Sequence, residues 1–202
     1  MNINRLAELK HHFLTVTQSP NVKTILDLGA GYGLFQHNYP HIGADIWSVD
    51  KIDSEYNRFT ICQMMYGEEK CVISDVWKLD MFEDDFFDFV VFNEVIEHIK
   101  ADEVEMTLKE IKRVLKKDGL LQVVTPNIKV RKLVGKYMAN EFHVKEFSYQ
   151  ECVDLFTAHD FEIEYETGIL EIKDVKDRVN LNFGYEDPDK SYIMYFHLKN
   201  KK

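Results

Sequence analysis

The sequence predicts a three-layer α/β sandwich built on a seven-stranded, mostly parallel sheet. Three observations predict it. Short apolar runs alternate with helix-period patterns, the signature of strands joined by crossover helices. The first run passes directly into a glycine cluster, Gly29-Ala30-Gly31-Tyr32-Gly33, at the strand end where a parallel sheet receives its ligand. The 202 residues, 45% of them hydrophobic, contain no repeat, low-complexity tract or Pro/Gly-rich linker, so residues 1–202 read as one domain.

Residues 1–20 read as a polar, helical N-terminal cap without the apolar stretch of a signal peptide. Strands follow at Lys23–Leu28, Asp45–Val49, Cys71–Ser74, Phe86–Phe92 and Leu120–Thr125. The clearest helix is Asp102–Lys117, where Val104, Leu108, Ile111 and Leu115 recur on one face and lysines line the other. Lysines in its last turn and Gly119 just beyond mark its expected end. Ser148 with Glu151 reads as a capping box opening a further helix. Phe161–Ile172 and Ser191–Leu198 complete the strands, and the polar Lys173–Lys190 between them is expected as an exposed loop.

Acidic side chains number 35 against 25 basic ones, for a net charge of −10 and a sequence pI near 5.3. Such a chain is repelled by polyanions, which argues against general nucleic-acid binding and against anionic membranes. No apolar run approaches the ~18 residues of a bilayer span. Cys62, Cys71 and Cys152 form neither a zinc pattern nor a disulfide framework. A soluble, cytoplasmic protein is expected.

Two cofactor classes use a glycine turn of this kind. A dinucleotide fingerprint, G-x-G-x-x-G, needs its third glycine one residue later than Gly33, where this chain has Leu34. Here Asp27 precedes the cluster instead, giving Asp-x-Gly-x-Gly-x-Gly. Asp50 follows the second strand, with Asp53 a second choice, Asp75-Val76 follow the third, and Asp88 leads the fourth, which ends at Phe92-Asn93. From Thr24 to about Phe161 this pattern resembles the class I S-adenosylmethionine-dependent methyltransferases.

The resemblance implies a Rossmann-like fold with an antiparallel last strand and S-adenosylmethionine as cofactor. Asp27, Gly29, Ala30, Gly31, Gly33, Asp50, Asp75, Val76 and Asn93 would then line the cofactor, Asp50 taking the ribose hydroxyls and Asp75 the adenine. The expected reaction is methyl transfer to an O or N atom of a small-molecule or sugar-like acceptor.

Residues around the methyl group would, by this resemblance, come from Asn93–His98 and from Thr125-Pro126-Asn127 onward. Glu94, Glu97 and His98 fall at i, i+3 and i+4 and would share one helical face. His98, His143 and Glu97 are the catalytic candidates, a histidine acting as general base. The pattern is similar to a bacterial small-molecule group with a Glu-x-x-Glu-His motif. It is also similar to two metal-assisted groups, the ubiquinone-pathway O-methyltransferases and the small-RNA 2′-O-methyltransferases; by the pattern of the RNA enzymes, Glu94, Glu97, His98 and His143 would hold a divalent cation. Metal-free transfer is the first expectation, metal-assisted RNA methylation the alternative. A non-catalytic cofactor-binding scaffold is a third.

Basic residues concentrate between Lys109 and Lys145. Lys129, Arg131, Lys132 and Lys136 fall in residues 128–147, expected as a lid over the acceptor pocket. That placement favours an acceptor carrying phosphate or carboxylate.

Overall fold

The computed structural model describes residues 21–39, 43–51, 58–134, 141–172 and 181–202. The cap expected over 1–20, Asp53 and Lys136 lie outside the described residues. Strands β1 (Thr24–Leu28), β2 (Asp45–Asp50), β3 (Cys71–Ile73), β4 (Phe87–Asn93) and β5 (Leu115–Pro126) run parallel in the order β3-β2-β1-β4-β5. The sheet continues as β8-β6-β7, with β6 over Phe161–Ile172, β7 over Leu181–Glu186 and β8 over Ser191–Asn200. β8 is antiparallel to both β5 and β6.

All seven expected strands are present, and β7 is an eighth among the described residues. It corrects the loop expected over Lys173–Lys190. Leu181, Phe183 and Tyr185 alternate with polar residues, a strand pattern outweighed in the sequence by its polar surroundings and by Asp187-Pro188. The long β6 offers an edge on which this segment pairs antiparallel.

Helices α1 (Leu34–Asn38), α2 (Arg58–Tyr66), α3 (Ala101–Val114), α4 (Ile128–Val134) and α5 (Tyr149–Ala158) accompany the sheet. Alternate strand residues serve two faces. Leu26, Leu28, Val90 and Phe92 pack with Val104, Leu108 and Ile111 of α3 and Phe156 of α5. Ile25, Ile46, Phe89 and Val91 pack with Phe35 of α1 and Tyr39. No helix among the described residues is long and apolar enough to cross a membrane.

Helix α3 stops three residues earlier than its pattern predicts. Leu115 is extended, pairs with Phe87, and gives its carbonyl to the Asn200 amide at 2.9 Å. The expected C-terminal glycine is therefore not one; Asp118 takes the left-handed conformation, at φ 59°, inside a register shift between Phe87 and Phe89. The Ser148–Glu151 capping box forms as predicted, with Glu151 N–H on Ser148 Oγ and Ser148 N–H on Glu151 Oε2.

Asp88 turns out to brace the sheet. Its carboxylate accepts the N–H groups of Lys23 and Thr24, each at 2.9 Å, and pairs with Lys116 at 2.7 Å. These contacts sit where β1 and β4 begin, at the opposite end from the glycine loop, so Asp88 does not belong to the ligand end.

Candidate active site

The strand order reverses at β1, whose neighbours β2 and β4 lead to opposite wings of the sheet, and ligands bind at such a switch point. Gly29, Gly31 and Gly33 all have positive φ, at 81°, 55° and 71°. Their surroundings differ. A Cβ on Gly29 would lie 2.3 Å from Val95 Cγ2, and one on Gly33 would lie 2.6 Å from Cys62 Sγ. A Cβ on Gly31 would meet no atom within 4 Å. The outer glycines thus pack the loop onto the protein, and Gly31 leaves an open surface where a ligand can approach backbone.

Asp50, at the end of β2, accepts the Gly31 N–H on Oδ2 at 2.7 Å and the Lys51 N–H on Oδ1 at 2.7 Å. Burial raises its pKa, against the opposing pull of those two donors and of Arg58 and Lys51. Asp27 is buried two residues before Gly29 on β1, and Ala30 continues the loop by donating its N–H to Val49 O at 3.2 Å. After β3, Asp75 pairs with Lys78 at 3.0 Å, and Val76 is buried in the core. Asn93, closing β4, accepts from the Gln122 amide at 3.2 Å. These residues line the carboxyl ends of β1 to β4, and their chemistry suits a nucleoside: an open backbone cradle flanked by carboxylates.

Beyond Asn93 the chain does not form the α-helix assumed for Glu94–His98. Glu94 is left-handed at φ 53°, and only Ile96–His98 makes a 3-10 turn. Glu94 therefore leaves the face it was expected to share. Glu97, His98 and His143 do converge, with one ligand-capable atom of each lying within 4.8 Å of the others. The two imidazoles meet edge to face at 4.8 Å between centroids.

What seats them is mostly backbone. The carbonyl of Glu97 accepts N–H groups from Val144 at 2.8 Å and Lys145 at 3.2 Å, docking the His143 segment on the 3-10 turn. The Glu97 carboxylate is fully buried and accepts from Thr125 Oγ1 at 3.0 Å. His98 Nδ1 lies 3.0 Å from the Phe142 carbonyl, which can only accept, so Nδ1 carries the proton and Nε2 the lone pair. Burial lowers the pKa of His98, helped by His143, Lys51 and Arg58 and opposed by the Phe142 carbonyl. The ring is thus held neutral at neutral pH.

Four further residues complete this site, of which Thr125 and Arg131 lie in segments expected to border the acceptor. Glu146 contacts His143 Nδ1, Arg131 pairs with Glu146, Thr125 holds Glu97, and Tyr192 borders the carboxylates. Burial first, then Glu94, push the Tyr192 hydroxyl up to about 12. Glu146 had a signal, standing three residues after His143; Tyr192 had none, because only the antiparallel return of β8 brings it here.

The lid charges are engaged. Arg131 faces Glu146, and Lys129 pairs with Asp189 at 2.5 Å. Of the four cations expected to attract an anionic acceptor, two are spoken for by carboxylates of the protein itself.

Residues 26–123, just under half of the chain, match the family model described as a methyltransferase domain. A ubiquinone biosynthesis O-methyltransferase of Pelagibacter ubique (strain HTCC1062) is 28% identical over 127 residues, which make 62% of this chain. The chain spans about half the length of that relative, the match covering 50% of it. Among solved structures, an S-adenosylmethionine-dependent methyltransferase from Archaeoglobus fulgidus has a TM-score of 0.71 at 15% identity, covering 98% of this chain and 100% of that one. A 1,6-didemethyltoxoflavin-N1-methyltransferase from Burkholderia thailandensis, bound to S-adenosylhomocysteine, has a TM-score of 0.66 at 17% identity, covering 96% and 78%. At these identities the likeness to the solved structures shows a shared fold.

Proposed function

We propose that this chain is a methyltransferase that moves the methyl group of S-adenosylmethionine to an oxygen or nitrogen of a small-molecule or sugar-like acceptor, with His98 or His143 taking the acceptor's proton. The observation that carries this reading is that His98 commits Nδ1 to the Phe142 carbonyl, leaving Nε2 with the lone pair a base requires, while the His143 ring stands 4.8 Å away between centroids. When bound, the sulfonium cofactor supplies an activated methyl group and departs as a neutral thioether. The protein's part is to hold the cofactor on the Gly29–Gly33 loop and Asp50, align the acceptor in line with the S–CH3 bond, and accept the proton at Nε2. The O-methyltransferase named among the relatives supports oxygen as the first acceptor to test. The Lys129 and Arg131 ion pairs favour a neutral acceptor over an anionic one.

Transfer of a labelled methyl group to a panel of phenols, sugars and amines tests it. We expect product from wild type and a fall in kcat of about 10²-fold or more, the usual worth of a general base, in a His98→Asn/His143→Asn variant. Turnover by that variant within about twofold of wild type would sink the base assignment.

A second reading is favoured by the convergence of Glu97, His98 and His143: a divalent cation held by these three, assisting transfer to a hydroxyl, the 2′-hydroxyl of an RNA end included. Two imidazoles and a carboxylate suit Mn²⁺ or a similar ion, which would lower the pKa of a coordinated hydroxyl. Glu94 takes no part in that cluster. Activity that survives a chelator rejects the second reading; activity lost to a chelator and restored by Mn²⁺ rejects the metal-free one.

A further inference from the structure

We propose that Glu146, braced by Arg131, is a positioning residue that fixes His143 as its Nδ1–H tautomer and thereby decides which ring nitrogen faces the acceptor. Only the kinetic part rests on the methyl-transfer reading given above.

His143 Nδ1 lies 2.5 Å from Glu146 Oε1, and both side chains are almost fully buried. A carboxylate at Nδ1 keeps the proton there and orients the ring, as carboxylate partners of functional histidines generally do. The second oxygen of Glu146 meets the guanidinium of Arg131, which compensates a charge that would otherwise be buried alone. Backbone contacts frame the pair. Asn127 forms a bridge with Phe147, and Ile128 N–H donates to Phe147 O at 3.0 Å, joining the start of α4 to the residue next to Glu146. Arg131 N–H in turn donates to Asn127 O at 2.9 Å. The orientation of His143 is thus tied to the placement of α4. His98 reaches the same tautomer through a backbone carbonyl instead, so a side-chain substitution can unlock His143 alone.

The test is the tautomer, read from the imidazole nitrogen shifts of the uniformly ¹⁵N-labelled full chain. Wild type is expected to show a protonated Nδ1 and an unprotonated Nε2 at His143. Glu146→Gln keeps a carbonyl acceptor and is expected to keep that pattern. Glu146→Leu, and the Arg131→Met/Glu146→Leu pair that removes both buried charges, are expected to move the proton to Nε2. With a turned-over acceptor, kcat should fall about 10- to 100-fold in the leucine variants, recover largely in Glu146→Gln, and leave the KM for S-adenosylmethionine within about twofold. A wild-type ring protonated at Nε2, or leucine variants that retain Nδ1–H, would overturn the proposal. So would a kcat loss that tracks lost adenosylhomocysteine binding. If wild type methylates nothing, the methyl-transfer reading fails while the nitrogen shifts still decide the role of Glu146.

Discussion

The backbone N–H of Gly31 donates to Oδ2 of Asp50 across 2.7 Å, so the open glycine of one strand end is anchored by the carboxylate of the next. A residue that would bind the cofactor's ribose also shapes the loop beneath it. Asp50→Ala should therefore weaken adenosylhomocysteine binding by roughly 10- to 100-fold, the worth of a charged hydrogen bond of about 1.5–3 kcal/mol. Isothermal titration measures it, and unchanged affinity would separate Asp50 from the site.

The three loop glycines should rank differently in stability. All sit at positive φ, where an alanine costs about 1–2 kcal/mol. Gly29→Ala adds a clash with Val95, a stiff β-branched side chain, and overpacking of this kind costs about 1–3 kcal/mol more. Gly31→Ala adds no clash. Urea unfolding of both variants should show the larger loss at Gly29, and equal losses would mean that Val95 yields.

Ile111 is fully buried between α3 and the sheet. Ile111→Ala should cost about 2–5 kcal/mol of unfolding free energy without touching the glycine loop. A loss below about 1 kcal/mol would show that the core closes over the cavity.

Asp88 makes a pH-dependent brace. Burial pushes its pKa up, but hydrogen bonds from Lys116, Lys23 and Thr24 outweigh it and hold the carboxyl below its ordinary 3.8. A depressed folded-state pKa contributes stability that is present above the unfolded value and fades as pH falls through the folded one. Thermal melts of Asp88→Asn should thus lie below wild type near pH 6, and the gap should narrow below about pH 4. A gap constant with pH would remove charge from the explanation.

Most of the glycine-loop half of the fold was legible because its signals are local. Strand periodicity, glycines at fixed offsets and an acidic residue after each strand are written within a few residues of one another, and Gly29–Gly33 with Asp50 assemble as the pattern implies. Asp88 shows the limit of such counting, since an aspartate in register after a strand and one leading a strand stand at opposite ends of the sheet. The acceptor half depends on contacts distant in sequence. Glu97 meets Thr125, Glu146 meets Arg131, and Tyr192 returns from β8, none of which a local pattern encodes. The same reason explains Leu115, whose helical spacing lost to pairing with Phe87 and to the Asn200 amide.

β8 is synthesised after β6, yet it lies between β5 and β6 in the sheet. The parallel wing β3-β2-β1-β4-β5 is complete in the sequence before β6 begins, whereas β6 and β7 reach that wing only through β8. Asn127 likewise depends on β8 and the residues just before it, because its amide holds the carbonyls of Pro188 and Asp189 and its N–H donates to Tyr192 O. The glycine-loop wing thus needs no later strand, whereas the surroundings of Asn127 are complete only once the interior strand β8 is in place.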